Sequence, residues 1–245
     1  MAKGMKGGDT VDIQRLLNNF LGSADGSSSI GKAAQSLKTG GVPGGLLGGA
    51  AAGGLIATLV SSKKARKFGG KALTYGGLAV LGGLAYKAWN DHKANAPQSS
   101  TQVDPQAIAP APAGSRFDPA VLTDQSGRDF RLTLIKAMIS AALADGHVDQ
   151  REHRMIREQV DGAGLDADEK TFLFDQLSQP SDPIAIASLT TGEEQAAEVY
   201  LASLLVLDDD VSEDRRYLER LGDALRLPTD LRQRLETHAR QALQA

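Results

Sequence analysis

Hydrophobic and polar positions follow three different patterns along this chain of 245 residues. Residues 11–21 place apolar side chains on one helical face, and residues 39–62 form a glycine-rich run without a single charge. After residue 117, apolar positions recur every three or four residues, and no segment alternates as a half-buried strand does. These patterns predict an all-α protein.

The first pattern predicts one short amphipathic helix. Its apolar face consists of Ile13, Leu16, Leu17, Phe20 and Leu21. No basic start leads into a continuous apolar run, so the segment is not typical of a secretory signal peptide. Two interpretations stay open. The helix lies on a membrane surface or binds a partner, or it packs on its own protein.

The uncharged run has the length of a membrane helix. Its centre, Val42–Val60, contains 19 residues, and about 20 apolar residues cross a bilayer as a helix. Glycines four residues apart, such as Gly44 and Gly48, let two helices approach closely in lipid, whereas each would cost a soluble helix about 1 kcal/mol. We therefore predict a membrane helix or helical hairpin that permits self-association. A flexible glycine-rich linker is the alternative.

The topology of this membrane segment has two solutions. A second uncharged run, Ala72–Tyr86, is short for a span unless Tyr86, Lys87 and Trp89 act as interfacial anchors. The basic stretch of residues 63–71 is expected on the cytoplasmic side. If both runs cross, the C-terminal region faces the periplasm, and if only the first crosses, it faces the cytoplasm.

Composition divides the chain into four regions. Residues 1–38 form an N-terminal tail with the amphipathic helix, and residues 39–90 form the membrane segment. Residues 91–116 are rich in Pro, Ala and Gln, which is typical of an extended spacer. Residues 117–245 form the all-helical domain.

The C-terminal domain carries clear signals for helix starts. A helix is predicted over Asp129–Leu143, and Pro180 and Pro183 flank a short connector for which a single turn of helix is predicted. Further starts are predicted at Asp149 with Glu152, Asp166 with Glu169, Thr191 with Glu194, Ser212, and Thr229 after Pro228. The domain should therefore contain six or seven helices.

An internal echo relates two parts of this domain. The segment Ser140–Val148 aligns with Ser203–Val211 at an offset of 63 residues, and in both a helix leads into an acidic turn. The echo predicts two related helical hairpins packed together.

Charge is distributed unevenly between the two halves. Residues 1–96 carry 12 Lys and Arg against 4 Asp and Glu, whereas residues 97–245 carry 15 against 26. The basic half suits an anionic lipid surface, and the acidic half suits cations or a basic partner protein. Nucleic acid binding is not expected, because the half with the predicted fold is acidic.

The acidic turns are the candidate chemistry of the domain. Hard cations such as calcium take several oxygen ligands, which clustered carboxylates supply. The candidate ligands are Asp145, Asp149, Glu152, Asp208, Asp210 and Glu213. The spacing is not that of an EF-hand. In the alternative interpretation, these carboxylates cap helices and are solvated without a metal.

Catalytic arrangements are absent from the sequence. There is no cysteine, the four histidines are scattered, and no nucleophile elbow, phosphate-binding loop or zinc-protease motif occurs. We therefore expect a non-catalytic protein.

The residues also resemble a known family. The run Ala144-Asp145-Gly146-His147-Val148-Asp149 with Glu152 resembles the A-x-A-D-G-x-[IV]-x-x-x-E signature of the TerB-like, tellurite-resistance-associated helical domains. Further blocks follow in order, namely Pro180-x-Asp182-Pro183, Glu193-Glu194 with Tyr200, and Tyr217 to Pro228. Behind a glycine-rich segment and a basic stretch, this order is similar to the YebE-type inner-membrane branch.

The resemblance implies a seven-helix domain at the bacterial inner membrane, without catalysis, in an envelope, metal or tellurite stress response. It also implies divalent cation binding by Asp145, Asp149 and Glu152. The second turn departs from the signature, because Asp209, Ser212 and Arg215 stand at the Gly, Asp and Glu positions. The alternative function is a metal-free interaction module that binds a partner protein at the membrane.

Overall fold

A computed structural model describes residues 11–13, 16, 77–95, 109–144, 160, 166–207 and 211–244. The described part of the chain is all-helical, as the periodicity predicts. Its helices are α1 Gly77–Lys93, α2 Phe130–Ala142, α3 Ala167–Leu177, α4 Pro183–Ala187, α5 Glu193–Leu204, α6 Ser212–Ala224 and α7 Thr229–Gln244.

Helix α5 lies at the centre of the packed body and contacts α1, α2, α6 and α7. Nine consecutive residues, Gln195–Ser203, are buried along it. A helix buried on all sides needs small and apolar residues all round, and its Ala-Ala-Glu-Val-Tyr-Leu-Ala sequence is almost free of charge. Glu198 is the exception.

The internal echo matches the observed helix order. Helix α5 begins 63 residues after α2, and the two helices pack against each other. Helix α7 begins at Thr229, 62 residues after α3 begins at Ala167. The contact between α2 and α5 therefore joins the two segments that the echo relates.

Aspartate side chains cap three of the observed helices. The side chains of Asp129, Asp166 and Asp182 accept hydrogen bonds from backbone N–H groups at the starts of α2, α3 and α4. Such side chains satisfy donors that have no partner inside the helix. With Glu169, Asp166 forms the capping box that the sequence predicts.

Two helix starts differ from the prediction by one residue. Gly192, and not Thr191, is the N-cap of α5. The Thr191 N–H, one residue before the cap, donates to the Gln195 Oε1 at 2.9 Å. Val211 is the N-cap of α6, so Ser212 is already the first helical residue.

Helix α1 belongs to the packed body. Leu81, Leu84, Ala85 and Ala88 are buried in the common core, and α1 contacts both α5 and α7. The core therefore includes residues upstream of position 117, where the sequence pattern places the start of the helical domain.

The prediction of a second membrane segment over Ala72–Tyr86 is not supported. The described part of that run lies in α1, and the rings of Tyr86 and Trp89, predicted as interfacial anchors, pack edge-to-face on Phe117 at centroid distances of 5.6 and 5.5 Å. The same apolar residues that suit a lipid interface also suit a protein core.

The N-terminal amphipathic segment also contacts this core. Leu16 is fully buried, and Val11 and Ile13 are partly buried against the same cluster. Of the two interpretations of this segment, packing on its own protein is the one that these contacts support.

None of the seven described helices combines the length and the apolar composition that a bilayer crossing requires. The run of residues 39–62 and the basic stretch of residues 63–71 lie outside the described residues.

Candidate functional site

The predicted cation site is only partly within the described structure. Asp145, Asp149, Glu152, Asp208 and Asp210 lie outside the described residues. Glu213 is exposed in the first turn of α6, and its Oε2 accepts a hydrogen bond from the Ser212 hydroxyl at 2.8 Å. Among the residues that can be described, no three His, Asp or Glu side chains form a group suited to a metal ion.

The helices that lead into the two acidic turns converge at their C-terminal ends. Ser140, near the end of α2, and Ser203, near the end of α5, both lie beside the Tyr217 hydroxyl of α6. A single hydroxyl group is small, so the two helix ends must be close together. The C-terminal ends of α2 and α5, which precede the two acidic turns in the sequence, therefore lie at one end of the packed body.

This end of the bundle contains buried polar atoms. The Tyr217 hydroxyl and the Ser203 Oγ have no hydrogen-bond partner of good geometry in the described structure. Burial raises the pKa of Tyr217 to about 12, although the two serine hydroxyls act in the opposite direction. Tyr217 therefore stays neutral under ordinary conditions.

A second connection to this end comes from α4. The Ser181 hydroxyl donates to the Ser140 carbonyl oxygen at 2.7 Å, and the Asp182 N–H donates to the Ser140 Oγ at 3.2 Å. The N-terminus of α4 is thereby held against the end of α2. The signal for this cluster is present in the sequence, because Ser140 and Ser203 are equivalent positions of the internal echo, but the pattern alone does not point to Tyr217.

A buried carboxyl group, that of Glu198, lies on a different face of α5 from Ser203. Glu198 has no exposed surface, and both of its carboxyl oxygens lack a hydrogen-bond partner among the described residues. Burial raises the pKa of Glu198 to about 8, and the negative charge of Asp118 acts in the same direction. Sequence reasoning missed Glu198, although a charged residue on the helical face of Leu201 and Leu205 was a usable signal.

Glu198 faces a position of α1 that only glycine can occupy. A Cβ atom on Gly82 would lie 2.6 Å from the Phe117 carbonyl oxygen and 3.4 Å from the Glu198 Oε1. The backbone of residues 111–118, α1 and α5 therefore meet around this carboxyl group.

Polar pairs connect the C-terminal half of α1 to its neighbours. Asp91 contacts His238 of α7 at 3.0 Å, His92 contacts Asp230, and the Lys93 ammonium donates to Glu193 of α5 at 2.9 Å. Burial lowers the pKa of His238, and nearby Lys87 acts in the same direction, whereas Asp91 opposes them. The hydrogen bond from Lys93 lowers the pKa of Glu193.

Comparison with known proteins finds one matching family. A family model described as "Protein of unknown function (DUF533)" matches residues 45–239. A protein of Yersinia enterocolitica, named "Uncharacterized protein in ampR 5'region", is 33% identical over 112 residues, which are 46% of this chain and 81% of that protein. No solved structure matches the chain.

Proposed function

Because the chain belongs to the DUF533 family, a TerB-like group, we propose that it is a membrane-tethered, non-catalytic protein that binds divalent cations through its two acidic turns. We place it in the YebE-type branch, at the bacterial inner membrane, with a role in envelope, metal or tellurite stress. Calcium, or an ion of similar chemistry, is the proposed ligand.

The convergence of α2 and α5 on Tyr217 carries this proposal. Two helices that end close together direct the negative ends of both dipoles to the same place, which favours a cation there. The turns that follow add carboxylates, including the adjacent Asp208, Asp209 and Asp210. Adjacent carboxylates repel one another, and a bound cation relieves that repulsion.

The donor chemistry fits a hard cation. Asp145, Asp149, Glu152, Asp208, Asp210 and Glu213 offer only oxygen atoms, and the chain has no cysteine to favour a softer metal. Glu213 is exposed at the start of α6, so its carboxylate is accessible for an ion held by the turn before it.

Calorimetric titration of the purified full chain tests the proposal. The full chain is required because α1 and Leu16 belong to the packed body. We expect saturable binding of calcium to the metal-stripped protein, which the double variant Asp145→Asn/Asp208→Asn loses. At a hundredfold excess over Kd, such binding stabilises the fold by about 2.7 kcal/mol, so the calcium-dependent rise in melting temperature should also disappear.

A matched control removes two charges elsewhere in the same domain. Asp168 and Asp175 are exposed on α3, and the double variant Asp168→Asn/Asp175→Asn should bind calcium like the unaltered protein. If both double variants lost calcium binding equally, the loss would reflect the lower negative charge of the whole domain. That result would contradict a specific site. Magnesium, manganese and zinc are titrated in parallel to establish the preference.

Two contacts of the packed body support one membrane topology. Leu16 lies in the core before the glycine-rich run, and α1 lies in the same core after it. Only residues 72–76 separate the basic stretch from α1, which is too short to cross a bilayer. We therefore propose that the glycine-rich run enters the bilayer and returns, with the N-terminus, the basic stretch and the helical body all in the cytoplasm.

Single cysteines test this topology, because the natural chain has none. We expect Gln179→Cys, on the exposed surface after α3, and Lys6→Cys, near the N-terminus, to react with a membrane-impermeant maleimide only after the cells are permeabilised. Labelling of one position but not the other in intact spheroplasts would indicate a single crossing and contradict the proposal. A cysteine in a periplasmic protein serves as the positive control.

An interaction module is the second candidate function. Residues 97–245 carry 26 Asp and Glu against 15 Lys and Arg, and this excess of negative charge favours a basic partner protein. Cross-linking in cells should then recover a partner that is lost when residues 117–245 are deleted. Recovery of the same proteins from the deleted chain would count against this function.

A further inference from the structure

The Glu198 carboxyl group is buried where α1 contacts the rest of the body. It has no exposed surface, its two oxygens accept no hydrogen bond from the described residues, and the Gly82 face of α1 covers it. A carboxylate in such surroundings loses its hydration and gains no hydrogen bond from the described residues in return. A neutral carboxylic acid loses far less free energy on burial. This arrangement plays no part in the proposed cation site.

Among the described residues, the charged groups near Glu198 do not stabilise its carboxylate. Asp118 is the neighbour whose charge acts on it, and that charge is repulsive. The Asp118 carboxylate is itself held by the N–H groups of Gly114 at 2.8 Å and Ala120 at 3.2 Å. The Arg116 guanidinium lies 3.6 Å from Glu194, one helical turn away from Glu198.

The helices packed against α5 also place their charges elsewhere. On α1, Lys87 pairs with Asp91, and both lie more than one turn beyond Gly82. On α7, Glu236 accepts from the Tyr200 hydroxyl at 2.8 Å, and His238 contacts Asp91. On α2, Arg131 pairs with Asp129, and the Lys136 ammonium lies over the Phe172 ring. On α6, Tyr217 faces Ser140 and Ser203 and not Glu198.

We propose that α1 is a releasable helix, whose packing on α5 is strongest while the Glu198 carboxyl group carries its proton. When that proton leaves for solvent, the carboxylate favours hydration, and the contact between Gly82, Phe117 and Glu198 opens more often. Phe117 extends the opening along α1, because its ring packs on Tyr86 and Trp89. The helix that joins the glycine-rich run to the body thereby responds to proton concentration, independently of any cation.

Hydrogen exchange of the full chain tests this directly. With amide exchange limited by the opening equilibrium and corrected for the intrinsic rate, peptides from α1 report how often that helix is released. We expect the protection of α1 to fall about tenfold for each pH unit between pH 6 and pH 8 and to level off above that, because release loses one proton. Peptides from α6 should show a smaller dependence.

Two variants separate this mechanism from a purely structural role. In Glu198→Gln the protection of α1 should no longer depend on pH. In Asp118→Asn the repulsive charge is gone, so the protection should level off at a lower pH than in the unaltered chain.

A flat pH profile in the unaltered chain, or the same slope in Glu198→Gln, would overturn the proposal. If Glu198→Gln does not fold, Asp118→Asn decides, since an unchanged levelling pH in that variant would overturn it as well. Binding of calcium is measured on the same samples, and its presence or absence leaves this outcome unaffected.

Discussion

Replacement of Gly82 by alanine is expected to weaken the packing of α1 on the body by about 1–3 kcal/mol, which is typical of overpacking in a core. The new Cβ would lie 2.6 Å from the Phe117 carbonyl oxygen. This oxygen belongs to the backbone, so it cannot rotate away as a side chain can. The gain of about 1 kcal/mol that alanine offers over glycine inside a helix offsets only part of this clash.

Gly222 offers a matched control within α6. A Cβ at that position would lie 2.8 Å from the guanidinium carbon of Arg232, which is the far end of a flexible side chain. Gly222→Ala should therefore lose much less stability than Gly82→Ala. Urea unfolding followed through Trp89, the single tryptophan of the chain, reports on α1, and circular dichroism reports on the whole body. Equal unfolding midpoints for Gly82→Ala and the unaltered chain would contradict the close contact.

Replacement of Glu198 by glutamine is expected to raise the stability of the α1 contact by about 3 kcal/mol at pH 7 and by about 5 kcal/mol at pH 10. The pKa of Glu198 rises from 4.5 to about 8 in the folded protein. The folded state therefore holds a proton that the unfolded state has lost at every pH between these two values. Stability falls as the pH rises through this window, and it is constant above it.

The slope of stability against pH is the sharpest measurement of this effect. Burial of the glutamine amide also costs free energy, so the gains in stability given above are upper values. Glutamine does not titrate, so the substitution removes the dependence of stability on pH. Urea unfolding through Trp89 at a series of pH values from 5 to 10 gives that slope. Glu219→Gln, on the exposed face of α6, is the matched control and should behave like the unaltered chain. A pH slope that survives in Glu198→Gln would show that another group causes it.

Much of the helical domain was predictable because its signals are local. The caps at Asp129, Asp166 and Asp182 depend on hydrogen bonds within three residues, and the periodic apolar positions depend on the geometry of one helix. The internal echo likewise compares short segments of sequence. The start of α5 differs from the prediction by one residue. The predicted pair was Thr191 with Glu194, whereas the Thr191 N–H donates to the side chain of Gln195.

The candidate site was predictable only as a set of residues. The sequence supplies the acidic turns and their oxygen donors, and these six carboxylates stay a prediction. The sequence did not reveal that the two helices before the acidic turns, α2 and α5, end beside one residue, Tyr217, which lies 77 positions after Ser140. Contacts over such separations are set by packing and not by local preference.

The sequence by itself determined the helical class, the starts of α2, α3, α5, α6 and α7 to within about two residues, the acidic turns and the uncharged glycine-rich run. Only the tertiary structure decided that α1 and Leu16 join the core, that a side chain at Gly82 would clash with the Phe117 backbone, and that Glu198 is buried without a hydrogen-bond partner among the described residues. The physical reason is that an apolar run suits a bilayer and a protein core equally well, and the burial of a charge depends on what lies across from it.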